Sequence, residues 1–135
     1  MALQFSVAVR NARLDAIETT IGTSAVLKIR TLSPPADVAT ADTGTVLATL
    51  NLPSDWLAAA SSGSKSKSGT WQDTSADASG TAAHFRIYAS DGTTAHIQGT
   101  VTATGGGGDM TVDNTSINSA QSVTVTGFTL TDGNA

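Results

Sequence analysis

Apolar and polar positions change their period along this chain, and each change marks an element. Between residues 6 and 21, Val7, Leu14, Ile17 and Ile21 recur at spacings of seven, three and four, the stripe of an amphipathic helix. Gly22 stands where a C-cap is expected. Arg10, Arg13 and Glu18 lie off the stripe, so the helix is expected to cover one end of the domain's own core and turn a polar side outward. From Ala25 the period becomes two. Leu27 and Ile29 alternate with Lys28 and Arg30, the pattern of a half-buried strand. Residues 31–44 hold Pro34 and Pro35 among small polar residues and read as a long surface loop. At 46–52 apolar residues fall on both faces, which predicts a central strand.

Pro53, Ser54, Asp55 and Trp56 predict a short helical turn capped by Ser54, and 61–68 a flexible polar loop carrying Lys65 and Lys67. A strand around Trp71 and a loop over 73–80 follow. Residues 83–88 and 94–103 alternate on either side of Asp91-Gly92 and predict a hairpin. A three-residue loop with Gly92 left-handed sets Phe85 opposite Ile97 and keeps Phe85, Ile87, Ile97 and Val101 on one face. A two-residue turn would set Phe85 against Gln98 and is rejected. The glycine run 105–108 predicts a turn, and Met110 with Val112 a short strand. In the last strand, 122–131, the apolar phase shifts across Gly127 from Val123 and Val125 to Phe128 and Leu130, the mark of a β-bulge. About seven strands behind one helix make a mainly β single domain, a β-sandwich or jelly-roll-like fold with residues 1–22 as the helix and 23–135 as the sandwich.

Composition supports this class. Charged residues are 13% and aromatics 4% of the chain, while Thr, Ser, Ala and Gly abound. A net charge of -4 and the lack of a basic run speak against nucleic-acid binding. With no cysteine there is no disulfide framework, thiolate metal site or cysteine nucleophile. No stretch has the length of a bilayer span and no signal-like segment opens the chain, so synthesis as a soluble cytosolic protein is expected.

Candidate chemistry is thin. His84 and His96 fall on the polar face of the predicted hairpin around Arg86, where a neighbouring cation disfavours a metal. Asp73 with Asp77 and Asp109 with Asp113 match no calcium-loop spacing and read as turn formers. Neither a Gly-x-Ser-x-Gly elbow nor a phosphate loop occurs, so no enzyme, metal or cofactor is expected. Trp56, Trp71 and Tyr88 could form a stacking platform for glycans, the competing reading.

The stretches from Phe5 to Glu18, Leu52-Pro-Ser-Asp-Trp56, Ser68-Gly-Thr-Trp-Gln-Asp73 and His84-Phe-Arg-Ile-Tyr88 resemble a family of small structural proteins of tailed bacteriophages and prophages. The resemblance implies a virion structural role; the small size of the β-rich domain and the absence of a fibrous repeat lead to the expectation of a decoration or cement protein on the capsid surface, with tail, collar or fibre as the alternative location. Expected partners are the major capsid protein and the chain itself, as a homodimer or homotrimer, with no nucleic acid and no membrane. Arg10, Arg13, Trp56, Lys65 and Lys67 are the residues expected to be exposed at the protein interface.

Overall fold

The computed structural model describes residues 2–135 and begins with α1, Val7–Ile21. Ser6 caps it, its Oγ accepting from Val9 N–H at 3.2 Å, and the N–H of Gly22 closes it on Glu18 O at 2.8 Å. Leu14 and Ile21 are buried and Ile17 half-buried, as their spacing predicts, but Val7 is 48% exposed.

Ten strands follow: β1 (Val26–Arg30), β2 (Val46–Asn51), β3 (Ser64–Ser66), β4 (Gln72–Asp73), β5 (Gly80–Thr81), β6 (His84–Tyr88), β7 (Ala95–Ala103), β8 (Met110–Val112), β9 (Ser116–Ile117) and β10 (Val123–Thr131). The main sheet runs β2-β1-β6-β7-β8-β10-β3, with β4 also on β10, and β5 pairs with β9 in a sheet of their own. The main sheet curls around one core, so the chain is a single, mainly β domain in keeping with a sandwich-like fold. More strands form than the expected seven because several are only two or three residues long, held by distant partners instead of by local alternation.

Three expectations are corrected. β2 ends the strand order instead of lying centrally. Its open side is covered by the following loop, where Asp77 N–H donates to Leu47 O at 2.7 Å and Thr49 N–H to Asp73 Oδ2 at 3.0 Å. Residues 53–56 form bends, not a helical turn, because Trp56 plunges into the core. The polar segment at 61–68 is no free loop, since β3 pairs with β10 and sets Lys65 opposite Leu130.

The hairpin of β6 and β7 has the expected parity but another register. Phe85 faces Gly99 and Ile87 faces Ile97, with a bulge between Ile87 and Tyr88. A Cβ at Gly99 would lie 2.8 Å from Phe85 Cε1 and 2.8 Å from Asp109 Oδ2, so the ring takes the space a side chain would need. The glycine run then turns the chain back over β7: Gly106 N–H donates to Ala103 O at 2.9 Å and Gly108 N–H to Thr102 Oγ1 at 3.0 Å. β8 consequently enters parallel to β7 after an unusually short connection. The bulge predicted at Gly127 is present, as a register shift between Val125 and Gly127 against β8.

Aromatic rings run through the core in contact. Trp56 and Trp71 stand 6.0 Å apart, Trp71 and Phe128 5.6 Å, and Phe128 meets Phe85 edge-on at 5.6 Å.

Candidate interaction surface

The residues expected at an interface are mostly engaged within the domain. Trp56 is fully buried and donates from Nε1 to Gly22 O at 3.1 Å. Lys65 is also buried. Its ammonium meets Asp15 Oδ1 at 2.7 Å, Ala58 O at 2.9 Å and Glu18 Oε2 at 3.2 Å. Burial opposes its charge, but hydrogen bonds to Asp15 and Glu18 outweigh that and raise its pKa, while the Lys65 bond lowers that of Asp15. Lys67 is half-buried and donates to Gly69 O at 3.0 Å. Arg10 is partly buried against Gly63, and Arg13, the exposed member of the set, pairs with Asp132 at 3.1 Å and lies over the Phe5 ring.

These contacts change the reading of α1. Arg10, Arg13, Asp15 and Glu18 all reach toward their own domain, on Gly63, Asp132 and Lys65. The outward arc is left to Ala8, Val9, Ala12, Ala16, Thr19 and Thr20, every one exposed and uncharged. The charges expected on the outer side stand instead at the two rims of this arc, Arg13 and Asp15, whose side chains are 52% and 50% exposed. Spacing alone could have shown the arc, since Ala8, Ala12 and Ala16 recur every fourth residue with Val9 beside them. A charge-free arc on a helix that otherwise covers its own core is an unusual face to leave to water.

The second face of β1 and β6 carries a polar cluster roofed by the 31–44 loop. Asp42 accepts from Arg86 Nη1 at 2.8 Å, Tyr88 Oη at 2.8 Å and Arg30 Nη2 at 2.9 Å. Arg86 also donates to Gln98 Oε1 and to the loop carbonyls of Asp37 and Thr40. Burial would raise the Asp42 pKa, yet its Tyr88 bond and the two guanidiniums hold it below the usual carboxylate range. Gly44 closes the loop at φ +72°, where a Cβ would lie 2.0 Å from Thr31 O. The strand face that period two assigned to solvent is thus buried, and Arg30, His84 and Arg86 are buried with it.

The histidines are not neighbours in function. His84 is fully buried, its Nδ1 at 2.6 Å from Leu32 O, whereas His96 is exposed and lines a shallow cleft with Arg13, Ile17 and Thr20 of α1. Since a carbonyl only accepts, His84 Nδ1 carries the proton and Nε2, buried without a partner, is bare. Burial first, then the charges of Arg30 and Arg86, push its pKa below the ordinary 6.5. The unfolded chain takes up a proton at the ordinary value and the folded one resists it, so stability is full above about pH 6.5 and falls as pH drops from there toward the folded pKa. Urea unfolding at pH 7.5 and pH 5 should show this loss, and His84→Gln should flatten it. Asp15, Asp37, Asp42 and Asp91 titrate below the ordinary 3.8, outside that window.

The carboxylate pairs are braces. Asp73 and Asp77 both bind Thr49, Asp109 binds Thr100, and Asp113 accepts from Thr124 N–H. Among the described residues no group of three His, Cys, Asp or Glu is placed to hold a metal, and no helix is long and apolar enough to cross a membrane. Trp56, Trp71 and Tyr88 are all fully buried, which removes the stacking platform on which a glycan reading depended. Comparison with models of known protein families, with curated proteins and with solved structures gives no match.

Proposed function

We propose that this chain is a structural subunit of a phage particle, a capsid decoration or cement protein that binds the major capsid protein and associates with itself. The observation that carries the assembly role is the uncharged outer arc of α1, with the half-exposed Arg13 and Asp15 at its rims paired to Asp132 and Lys65 of their own domain. Such a face gains from burial against a partner and costs little side-chain entropy to dock, because Ala, Val and Thr are short. The phage setting rests on the resemblance of the four stretches quoted above, and the choice of the head on the small size of the domain and its lack of a fibrous repeat. Tight braces such as Asp15–Lys65–Glu18 suit a part that binds as a preformed body.

Purified virions should contain the chain in fixed proportion to the major capsid protein, and a copy number of a few per particle would overturn the decoration role. Added back to capsids lacking it, the protein should bind, and Ala12→Asp should weaken binding at least about tenfold by placing a carboxylate in the contact. Ala12 is exposed, so the variant should stay folded and lose only about 0.7 kcal/mol, the cost of Asp relative to Ala inside a helix.

A further inference from the structure

β8 spans only Met110–Val112, yet it is the strand that separates β7 from β10. It pairs with β7 at Val101, Thr102 and Ala103 and with β10 at Val125, Gly127 and Phe128. Strands flanking a third stand about 9–10 Å apart at ordinary ladder spacing. At the start of β8, β7 and β10 therefore part around a gap one strand wide. The gap is an open cleft of about 540 Å³, with the half-buried Ile97 and Leu130 on its walls and the buried rings of Phe85 and Phe128 behind them.

Both walls offer main-chain groups. Val101 N–H donates to Ala83 O at 3.0 Å, so the odd residues of β7 face β6 and the even ones face the cleft. The bond from Thr100 N–H to Asp109 Oδ2 at 2.9 Å follows that rule. Gln98, next along the strand, turns its N–H and C=O into the cleft. On β10, Lys67 N–H donates to Phe128 O at 3.0 Å and Asp132 N–H to Gly63 O at 3.0 Å, which turns the even residues toward β3 and Thr131 toward the cleft.

The same chain carries a segment that matches. Residues 2–4 belong to no helix or strand, and Ser6 after them is extended. Leu3, 72% exposed, is the most exposed large apolar side chain among the described residues. The segment is rooted by Phe5 N–H on Asn134 O at 2.6 Å and leaves its own main chain free ahead of that bond.

We propose that the cleft is a strand-acceptor site for residues 2–4 of a second copy, which pair with Gln98 of β7 and Thr131 of β10 and lay Leu3 between the half-buried Ile97 and Leu130. Alternation then turns the short side chain of Ala2 and the polar Gln4 outward. This is strand addition to open sheet edges, with main-chain bonds supplying affinity and one apolar contact supplying register. Passing an arm from copy to copy is a head-to-tail contact that closes into a ring where the rotation permits. Self-association by this route needs no capsid, so it stands or falls apart from the capsid reading.

The absence of cysteine makes the test direct. Ala2→Cys and Thr131→Cys single variants, whose side chains share the outer face of the proposed pairing, mixed and oxidised, should form the mixed disulfide in excess over either homodimer, identified by peptide mass spectrometry. Sedimentation should show concentration-dependent association of the wild type below about 100 µM, weakened at least about tenfold by Leu3→Asp. The proposal is overturned if the wild type stays monomeric there, if Leu3→Asp leaves association unchanged, or if the double variant Ala2→Cys/Thr131→Cys closes its disulfide within one chain. Because Ala2, Leu3 and Thr131 are all exposed, these substitutions leave the core untouched.

Discussion

Arg86→Ala is expected to lower the unfolding free energy by about 3 kcal/mol and to open the 31–44 loop to proteases under native conditions. The guanidinium is buried and joins the loop to the sheet through Asp42 Oδ1, Asp37 O, Thr40 O and Gln98 Oε1. Removing one partner of a buried pair costs about 3–5 kcal/mol because the other is left uncompensated. The lower end applies here, since the Asp42 side chain is 34% exposed and keeps its bonds from Arg30 and Tyr88. Urea unfolding gives the energy, and limited proteolysis with cleavage sites mapped by mass spectrometry gives the loop. A loss under about 1 kcal/mol, or cleavage spread evenly over the chain, would mean that the cluster does not hold the loop.

The loop shows where sequence reasoning stops. Period two in Lys28 and Arg30 is ordinarily a solvated face, but Arg30 is buried by a segment whose own residues look like surface, and Lys28 is half-buried with its ammonium on Gly92 O. The signal lies in the chemistry of Asp42, whose partners Arg86 and Tyr88 are more than forty residues away, and no local pattern reports that. Lys65 is the same case, with Asp15 at a separation of 50 residues.

By contrast, α1, β1, the β6–β7 hairpin and β10 were legible, because each is long enough to repeat its period and each buries one side against the core. The Gly127 bulge was legible for the same reason: the apolar phase must shift where an extra residue enters the ladder. The hairpin register was half legible. Parity follows from keeping Phe85, Ile87 and Ile97 in one core, but the length of the turn depends on Asp91, whose carboxylate binds the N–H groups of Thr93 and Thr94. Gly99 could have corrected it, as a position in β7 with no side chain to resist the Phe85 ring.

The larger loss of stability is expected at Trp71. It is fully buried between Trp56 and Phe128, and its Nε1 donates to Ser68 O at 3.1 Å. Its neighbour Gln72 pairs β4 with β10, so the ring anchors the point where the segment after β3 returns to the sheet. Truncating a buried Trp costs about 3–5 kcal/mol through lost transfer energy and the cavity left behind. Collapse cannot relieve much of that here, because Trp56 is pinned by its bond to Gly22 O and Phe128 by its place in β10. Trp71→Ala should therefore lose about 4–5 kcal/mol, a large share of the about 5–15 kcal/mol typical of a domain, and its urea midpoint should drop accordingly. Trp71→Phe should lose less than half as much, since a ring still meets both aromatic neighbours and only the indole bond and part of the volume are gone. Equal losses in the two variants would locate the energy in the Ser68 hydrogen bond and not in the packed rings.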